Sequence, residues 1–209
     1  MDKQFYIENR QRVAAHMTDN DAMLFFSGES QRKSADENFP FFANRNFLYL
    51  TGVKQERSAL LLQRKGDLVS ECLFVTKPDL EQEVWTGRRL TETEIHETSG
   101  VEGVEDIDHL GGTLDRLLAS RPGITLWLCF DALAPERSFD IERDFARHIQ
   151  SRHPHVVIQN SYPLLAAMRK VKSAGEIDAM RKAMQITEAG IRRLMWVAKP
   201  GMIEYELEA

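Results

Sequence analysis

Apolar and polar positions along the chain fall into short runs whose period changes several times, and each change marks an expected element. Residues 2–17 place Tyr6, Val13 and Met17 on one side of a helix, with Asn9, Arg10, Arg12 and His16 elsewhere, so this helix is expected to cover a sheet. Ala22 to Ser27, AMLFFS, predicts a first strand stopped by Gly28. The strongest signal lies between Phe39 and Gln63. Asn46 to Thr51 and Ser58 to Gln63 are runs rich in aromatic and aliphatic residues, separated by Gly52 and the polar Lys54 to Arg57. They read as two core strands of a hairpin with a longer loop. Upstream, Arg32, Lys33, Asp36, Glu37, Asn44 and Arg45 surround the aromatic residues Phe39, Phe41, Phe42, Phe47 and Tyr49, which predicts a structured polar loop packed on a core.

Cys72 to Thr76 reads as a further strand, and Lys77 to Leu90 as a polar connection holding a single tryptophan. Thr91 to Gly100 is a short, solvated helix in which Thr91 caps with Glu94 and Gly100 supplies a left-handed stop. A second helix over Asp106 to Ser120 ends at Arg121-Pro122-Gly123, and Thr125 to Phe130 follows as a strand. Pro135 to Ser151 is expected to be helical with Phe139, Phe145 and Ile149 buried, before Pro154 and a strand from His155 to Asn160. Strands first, then helices alternating with strands, imply an α/β domain: a mixed β-sheet flanked by helices on both faces.

From Ser161 the pattern changes. Pro163 to Arg169 reads as a helical linker, and Ser173 with Glu176 forms a capping box opening a long helix. Ile177, Met180, Met184, Ile191 and Leu194 repeat along it as an apolar stripe that must pack against something large. Lys199-Pro200-Gly201 ends it. Ile203 to Ala209 begins a helix with no room to finish, so the chain is expected to be part of a longer protein.

Composition narrows the function classes. The 209 residues are 43% hydrophobic, ample for a packed core, and the net charge of −5 is spread without a basic stripe, so no nucleic-acid partner is expected. No apolar run approaches the ~20 residues that span a bilayer. With an amino terminus that lacks a signal-peptide core, the expectation is a cytoplasmic protein without a membrane partner. Cys72 and Cys129 sit in apolar strand-like runs as small buried hydrophobes. His153-Pro154-His155 and Asp106-Ile107-Asp108-His109 lack zinc spacing and read as a solvated helix end and an acidic helix start. Neither a Gly-rich phosphate loop nor a Gly-x-Ser-x-Gly elbow occurs. Trp127 and Trp196 read as core residues.

The segment QRKSADENFPFFANRNFLYLTGV, Gln31 to Val53, resembles the amino-terminal domain of Xaa-Pro aminopeptidases, the aminopeptidase P family of the creatinase/prolidase pita-bread superfamily. EVWTGRRL at Glu83 to Leu90 and KSAGEIDAMRKAMQITEAGI at Lys172 to Ile191, followed by KPGMIEYELEA, match in the same order. The resemblance implies a ribonuclease-H-like amino-terminal domain over residues 1–160, then a linker and the first helices of a pita-bread catalytic domain over 161–209. Family enzymes remove N-terminal residues preceding proline with two divalent metal ions, manganese being expected. The ligands, two aspartates, a histidine and two glutamates, all lie downstream of the helices matched here. No catalytic or metal residue is therefore assigned, and the chain alone is expected to bind no cofactor and to be inactive.

The resemblance also implies partners: the protein's own C-terminal catalytic domain, further copies in a dimer or tetramer, and proline-containing peptides. In the family the tryptophan matched by Trp85 reaches the substrate pocket of a neighbouring subunit, and Arg88 and Arg89 match the arginine pair after it. An indole can stack on a proline ring and guanidiniums can hold a carboxylate; the plainer alternative is that Trp85 pins its own loop. For Arg32, Asp36, Asn44 and Arg45, satisfying the loop's own backbone competes with substrate or interface contact. A prolidase, a creatinase-like hydrolase and a non-catalytic assembly module share the same domain and stay open.

Overall fold

Strand residues here alternate between two apolar layers, and the sheet they form is mixed. The computed structural model describes residues 1–79, 81, 83–84, 87–130 and 141–208. Its strands are β1 (Asp21–Phe26), β2 (Ala59–Lys65), β3 (Leu68–Val75), β4 (Gly103–Asp106), β5 (Thr125–Leu128) and β6 (Val157–Asn160). They hydrogen-bond in the order β4-β3-β2-β1-β5-β6. β2 is antiparallel to β1 and β3, whereas β1–β5, β5–β6 and β3–β4 are parallel. Helices among the described residues include α1 (Lys3–Ala14), α2 (Arg45–Thr51), α3 (Glu92–Ser99), α4 (Leu110–Ser120), α5 (Ile141–Arg152), α6 (Tyr162–Lys170), α7 (Ala174–Val197) and α8 (Glu204–Glu208). The chain divides into two units, Asp2–Met168 and Arg169–Ala209 with Met1.

In the first unit, Met23, Phe25, Leu60, Leu62, Leu73 and Val75 point to one face of the sheet and meet apolar residues of α1, α2, α3 and α6, among them Val13, Phe47, Ile95 and Leu165. Ala22, Leu24, Leu61, Phe74, Leu126 and Leu128 point to the other and meet α4 and α5 through Leu114, Leu118, Ala146 and Ile149. Both faces are thus covered, as expected, and β1, hidden on both, is a run of apolar residues. Cys72 and Cys129 lie in opposite layers and cannot join. Burial pushes the Cys72 thiol up to about 11, which removes it as a nucleophile at neutral pH.

The sequence expectation fails at Asn46–Thr51, which is helix α2 and not a strand. The Asn44 carboxamide accepts the N–H groups of Asn46 at 2.8 Å and Phe47 at 3.4 Å, and Gly52 closes the far end at φ +71°. This capping outweighs the strand preference of the aromatic residues, and Phe47 and Leu50, one turn apart, still reach the core. The hairpin forms instead between β2 and β3. The helix expected from Asp106 starts later, and a strand not anticipated from sequence precedes it: Gly103–Asp106 pairs with β3, and helix starts with a 3-10 turn over Ile107–His109.

α1 corrects a second expectation, since Asn9 and Arg10 are buried although both were placed away from the core. Asn9 Nδ2 donates to the Tyr49 carbonyl at 3.0 Å. Arg10, 1% exposed, donates to Glu71 Oε2 at 2.7 Å, to Leu50 O at 2.8 Å and to Ser99 O at 2.9 Å. The last two acceptors belong to the ends of α2 and α3, which are built alike. Thr51-Gly52-Val53 and Ser99-Gly100-Val101 each use a hydroxyl that donates to the carbonyl four residues back, at 2.9 and 2.7 Å, and accepts the N–H two residues on, at 3.2 and 3.1 Å. α3 carries the expected capping box but is not wholly solvated, because Ile95 and Ser99 are buried.

Farther along, Ile149 of α5 is buried and Phe145 half-buried, while Phe139 lies outside the described residues. Trp127 is half-buried against the first layer. In the second unit, α7 opens with the expected Ser173–Glu176 capping box. Its stripe is exposed from Ile177 (38%) to Met184 (69%). Trp196, expected in a core, is 74% exposed, with the Arg193 guanidinium 4.6 Å from its ring.

Candidate functional site

Two polar segments of the first unit carry the residues singled out from sequence, and one short turn holds both. That turn, Val53 to Ser58, joins α2 to β2. Glu56 Oε2 accepts the Ser30 N–H at 3.1 Å and its hydroxyl at 2.8 Å, while the Arg57 N–H donates to Gly28 O at 3.0 Å. Gln55, 9% exposed, donates through Nε2 to Thr76 O at 2.8 Å and accepts the Leu90 N–H through Oε1 at 2.9 Å. The sequence pattern puts Lys54 to Arg57 in the polar loop of a hairpin and does not single out Gln55 or Glu56. The one hint was a glutamine between two apolar runs, and it is ambiguous without the fold.

The segment between Thr76 and Leu90 carries Trp85, Arg88 and Arg89. Trp85 lies outside the described residues. Arg88 is exposed, and its Nη2 donates to Glu94 Oε1 at 2.6 Å, so a guanidinium standing in water is aimed by a carboxylate of α3. Glu94 is also gripped by Thr91, whose backbone N–H (2.9 Å) and hydroxyl (3.0 Å) donate to it; Thr91 first and Arg88 second hold its carboxyl down to about 2. The Arg89 N–H donates to Glu83 Oε1 at 3.0 Å. The Arg89 side chain is half-buried, and its Nε is hidden from water with no hydrogen-bond partner among the described residues. Arg88 and Arg89 thus leave one segment, the first toward solvent and the second partly sheltered.

The loop from Gly28 to Asn44 is as structured as its composition implied. Arg32 and Asn38 form an isolated antiparallel bridge, the Arg32 guanidinium donates to Ser34 O and Ala35 O, and Lys33 pairs with Glu37 at 2.8 Å. Asp36 is exposed, Asn44 caps α2, and the Arg45 guanidinium stands 6.0 Å from the Phe42 ring. Arg32 and Asn44 therefore serve the backbone. Phe39 (51%) and Phe42 (73%) stay exposed beside a recess of 320 Å³ lined by Glu29, Ser30, Gln31 and residues 39–42.

Two histidines join α5 and the residues after it to α4. His153 is mostly buried and pairs with Asp115 at 2.9 Å, Arg152 joins the same carboxylate at 2.6 Å, and His155 meets Leu118 O at 3.0 Å. This locks the end of α5 to α4 and replaces the solvated helix end expected from sequence. The His153 contact is the main reason the Asp115 carboxyl lies below its usual range. Asp106 caps the 3-10 turn by accepting the Asp108 N–H at 3.0 Å.

With this geometry in view, known proteins supply context. The family model described as the aminopeptidase P N-terminal domain matches residues 6–127. A Xaa-Pro aminopeptidase of Haemophilus influenzae is 30% identical over 99% of this chain and 46% of that protein, and one of Escherichia coli is 28% identical over 99% and 47%. Among solved structures, a candidate aminopeptidase P from Bacillus anthracis superposes with a TM-score of 0.93 at 31% identity, over 100% of this chain and 50% of the other. Proline aminopeptidase P II from Yersinia pestis gives 0.81 at 28% identity, over 100% and 48%. The chain spans about half the length of the curated relatives it matches.

Proposed function

The chain belongs to the aminopeptidase P N-terminal domain family, and from that premise we propose that it serves a longer, metal-dependent Xaa-Pro aminopeptidase that removes N-terminal residues preceding proline. The observation that carries this reading is an alignment running through nearly the whole chain, with relatives named Xaa-Pro aminopeptidase that are about twice as long. Residues 1–160 act as the amino-terminal domain, and 161–209 as a linker and the first helices of a catalytic domain. The exposed apolar stripe of α7 supports that assignment, because a helix face of this kind normally packs on a partner.

Among the described residues no group of three or more His, Cys, Asp or Glu could hold a metal ion. The chemistry that activates water on two divalent ions, manganese by preference, belongs in this reading to the second half of the protein. This chain contributes recognition. Trp85 offers a flat apolar face for a proline ring, Arg88 an exposed guanidinium for a peptide carboxylate, and Arg89 a sheltered donor, all toward the pocket of a neighbouring subunit in a homo-oligomer. No described helix is long and apolar enough to cross a membrane, and the cytoplasm is the compartment proposed.

The test uses a protein carrying this chain together with the second half its relatives possess, loaded with manganese and offered Xaa-Pro peptides. Cleavage N-terminal to proline that stops when the metal is chelated is the expected result. Loss of turnover on Trp85→Ala, and a raised KM for Arg88→Ala, would place the segment in the pocket. A metal-loaded protein that leaves such peptides intact overturns the reading.

A further inference from the structure

Gln55 lies outside every sequence motif singled out here, yet among the described residues it bonds both ends of the segment bearing Trp85, Arg88 and Arg89. We infer that Gln55 is a positioning residue for Arg88 and Arg89: its buried amide grips residues 77–89 at both ends and so fixes where the two guanidiniums stand. This rests on the reading of that segment as a peptide contact. Nε2 donates to Thr76 O at 2.8 Å on the upstream side, and Oε1 accepts the Leu90 N–H at 2.9 Å on the downstream side. A primary carboxamide supplies both polarities from one planar group; a carboxylate cannot donate and an aliphatic side chain does neither.

Other contacts among the described residues of the segment run within it or to α3, Lys77 meeting Glu92 at 3.8 Å. The Gly87 N–H reaches Glu83 O at 3.0 Å, the Arg89 N–H reaches Glu83 Oε1 at 3.0 Å, and Arg88 reaches Glu94 at 2.6 Å. Those bonds shape it but do not fasten both its ends to the β2 side of the domain. Because Gln55 sits in the short turn between α2 and β2 and is itself buried, its grip registers the arginines to the sheet. A residue that fixes such a register acts through geometry, and even a displacement of ~1 Å at a binding group is costly.

The experiment takes the longer protein described above with Gln55→Leu, Gln55→Glu and, in parallel, Arg88→Ala. Hydrogen exchange of peptides covering residues 77–90 is expected to accelerate at least roughly tenfold in Gln55→Leu, while the β1 and β2 amides keep their protection. KM for an Xaa-Pro peptide should rise about fivefold or more with kcat nearly unchanged, the signature of lost uniform binding. Gln55→Glu, which keeps the acceptor for Leu90 and loses the donor to Thr76, should fall between, a graded rescue that a stability defect alone does not give. Unchanged exchange over 77–90 overturns the grip. Faster exchange with an unaltered KM overturns the positioning role when Arg88→Ala does raise KM. If Arg88→Ala leaves KM unaltered too, the segment's assignment as a peptide contact has failed, and Gln55 falls with it.

Discussion

Arg10 is a buried charge on which three elements depend. A guanidinium 1% exposed is held by one carboxylate and two helix-end carbonyls, and losing it leaves all three acceptors without their donor. Arg10→Met keeps much of the volume, so the cost reads out the polar network; breaking a buried pair from one side typically costs about 3–5 kcal/mol. Urea unfolding should show a loss near that range, and a loss under about 1 kcal/mol would mean that water replaces the network. Glu94 provides a second residue-level test. Its carboxyl lies near 2, chiefly through the Thr91 N–H, so its contribution is complete above the ordinary carboxylate range and disappears as pH falls toward 2. A carbon-13 titration of the Glu94 side chain should therefore show no midpoint near 4.5, its ordinary value. A midpoint there means that the Thr91 and Arg88 contacts do not persist in solution.

At the level of elements, the ends of helices were easier to read than their identity. Thr91 with Glu94 and Ser173 with Glu176 are local signals, complete within four residues, and both capping boxes form. Asn46 to Thr51 misled because aromatic residues suit either element, and the deciding group, the Asn44 carboxamide, acts through a cap that composition does not weigh. Asn9 and Arg10 were placed outside for a related reason: their partners are 40 to 89 residues away, beyond the reach of any periodicity. The shared Thr/Ser-Gly-Val ending gives a prediction. Gly52→Ala forces a left-handed residue, worth ~1–2 kcal/mol, and sets a methyl 2.5 Å from the Tyr6 ring. Thermal melts should show a clear drop, larger than for Gly111→Ala, where nothing lies within 4 Å of the added methyl. For α7, Met184→Lys with Ile191→Lys should suppress concentration-dependent association of the isolated chain in light scattering, without shifting the melting of the sheet. Association that survives both charges would assign it to another surface.

For the whole molecule, the division into two units has a thermodynamic meaning. The first contains both apolar layers, whereas no residue of α7 or α8 is buried. Ending the chain after Lys172 should leave the urea midpoint of the sheet close to that of the full chain; a large fall would show that the second unit supports the first. The mixed sheet with two covered faces was legible from the order of strand and helix signals. The candidate site was legible only as a motif, since Arg88 and Arg89 stand out in sequence while the Gln55 grip depends on a hydrogen-bond pair spanning 21 and 35 residues.

The convergence of two helix ends on Arg10 also sets a timetable for synthesis. Arg10 leaves a ribosome before its partners, and Leu50, Glu71 and Ser99 follow 40, 61 and 89 residues later. Until the end of α3 has emerged, the guanidinium lacks one of its acceptors, and α1 has no finished seat to occupy. Although α1 is made before the helix ends it docks on, it is thus completed after them, and an arrested nascent chain ending before Ser99 should display α1 to protease or chaperone even when β1, β2 and β3 have already paired.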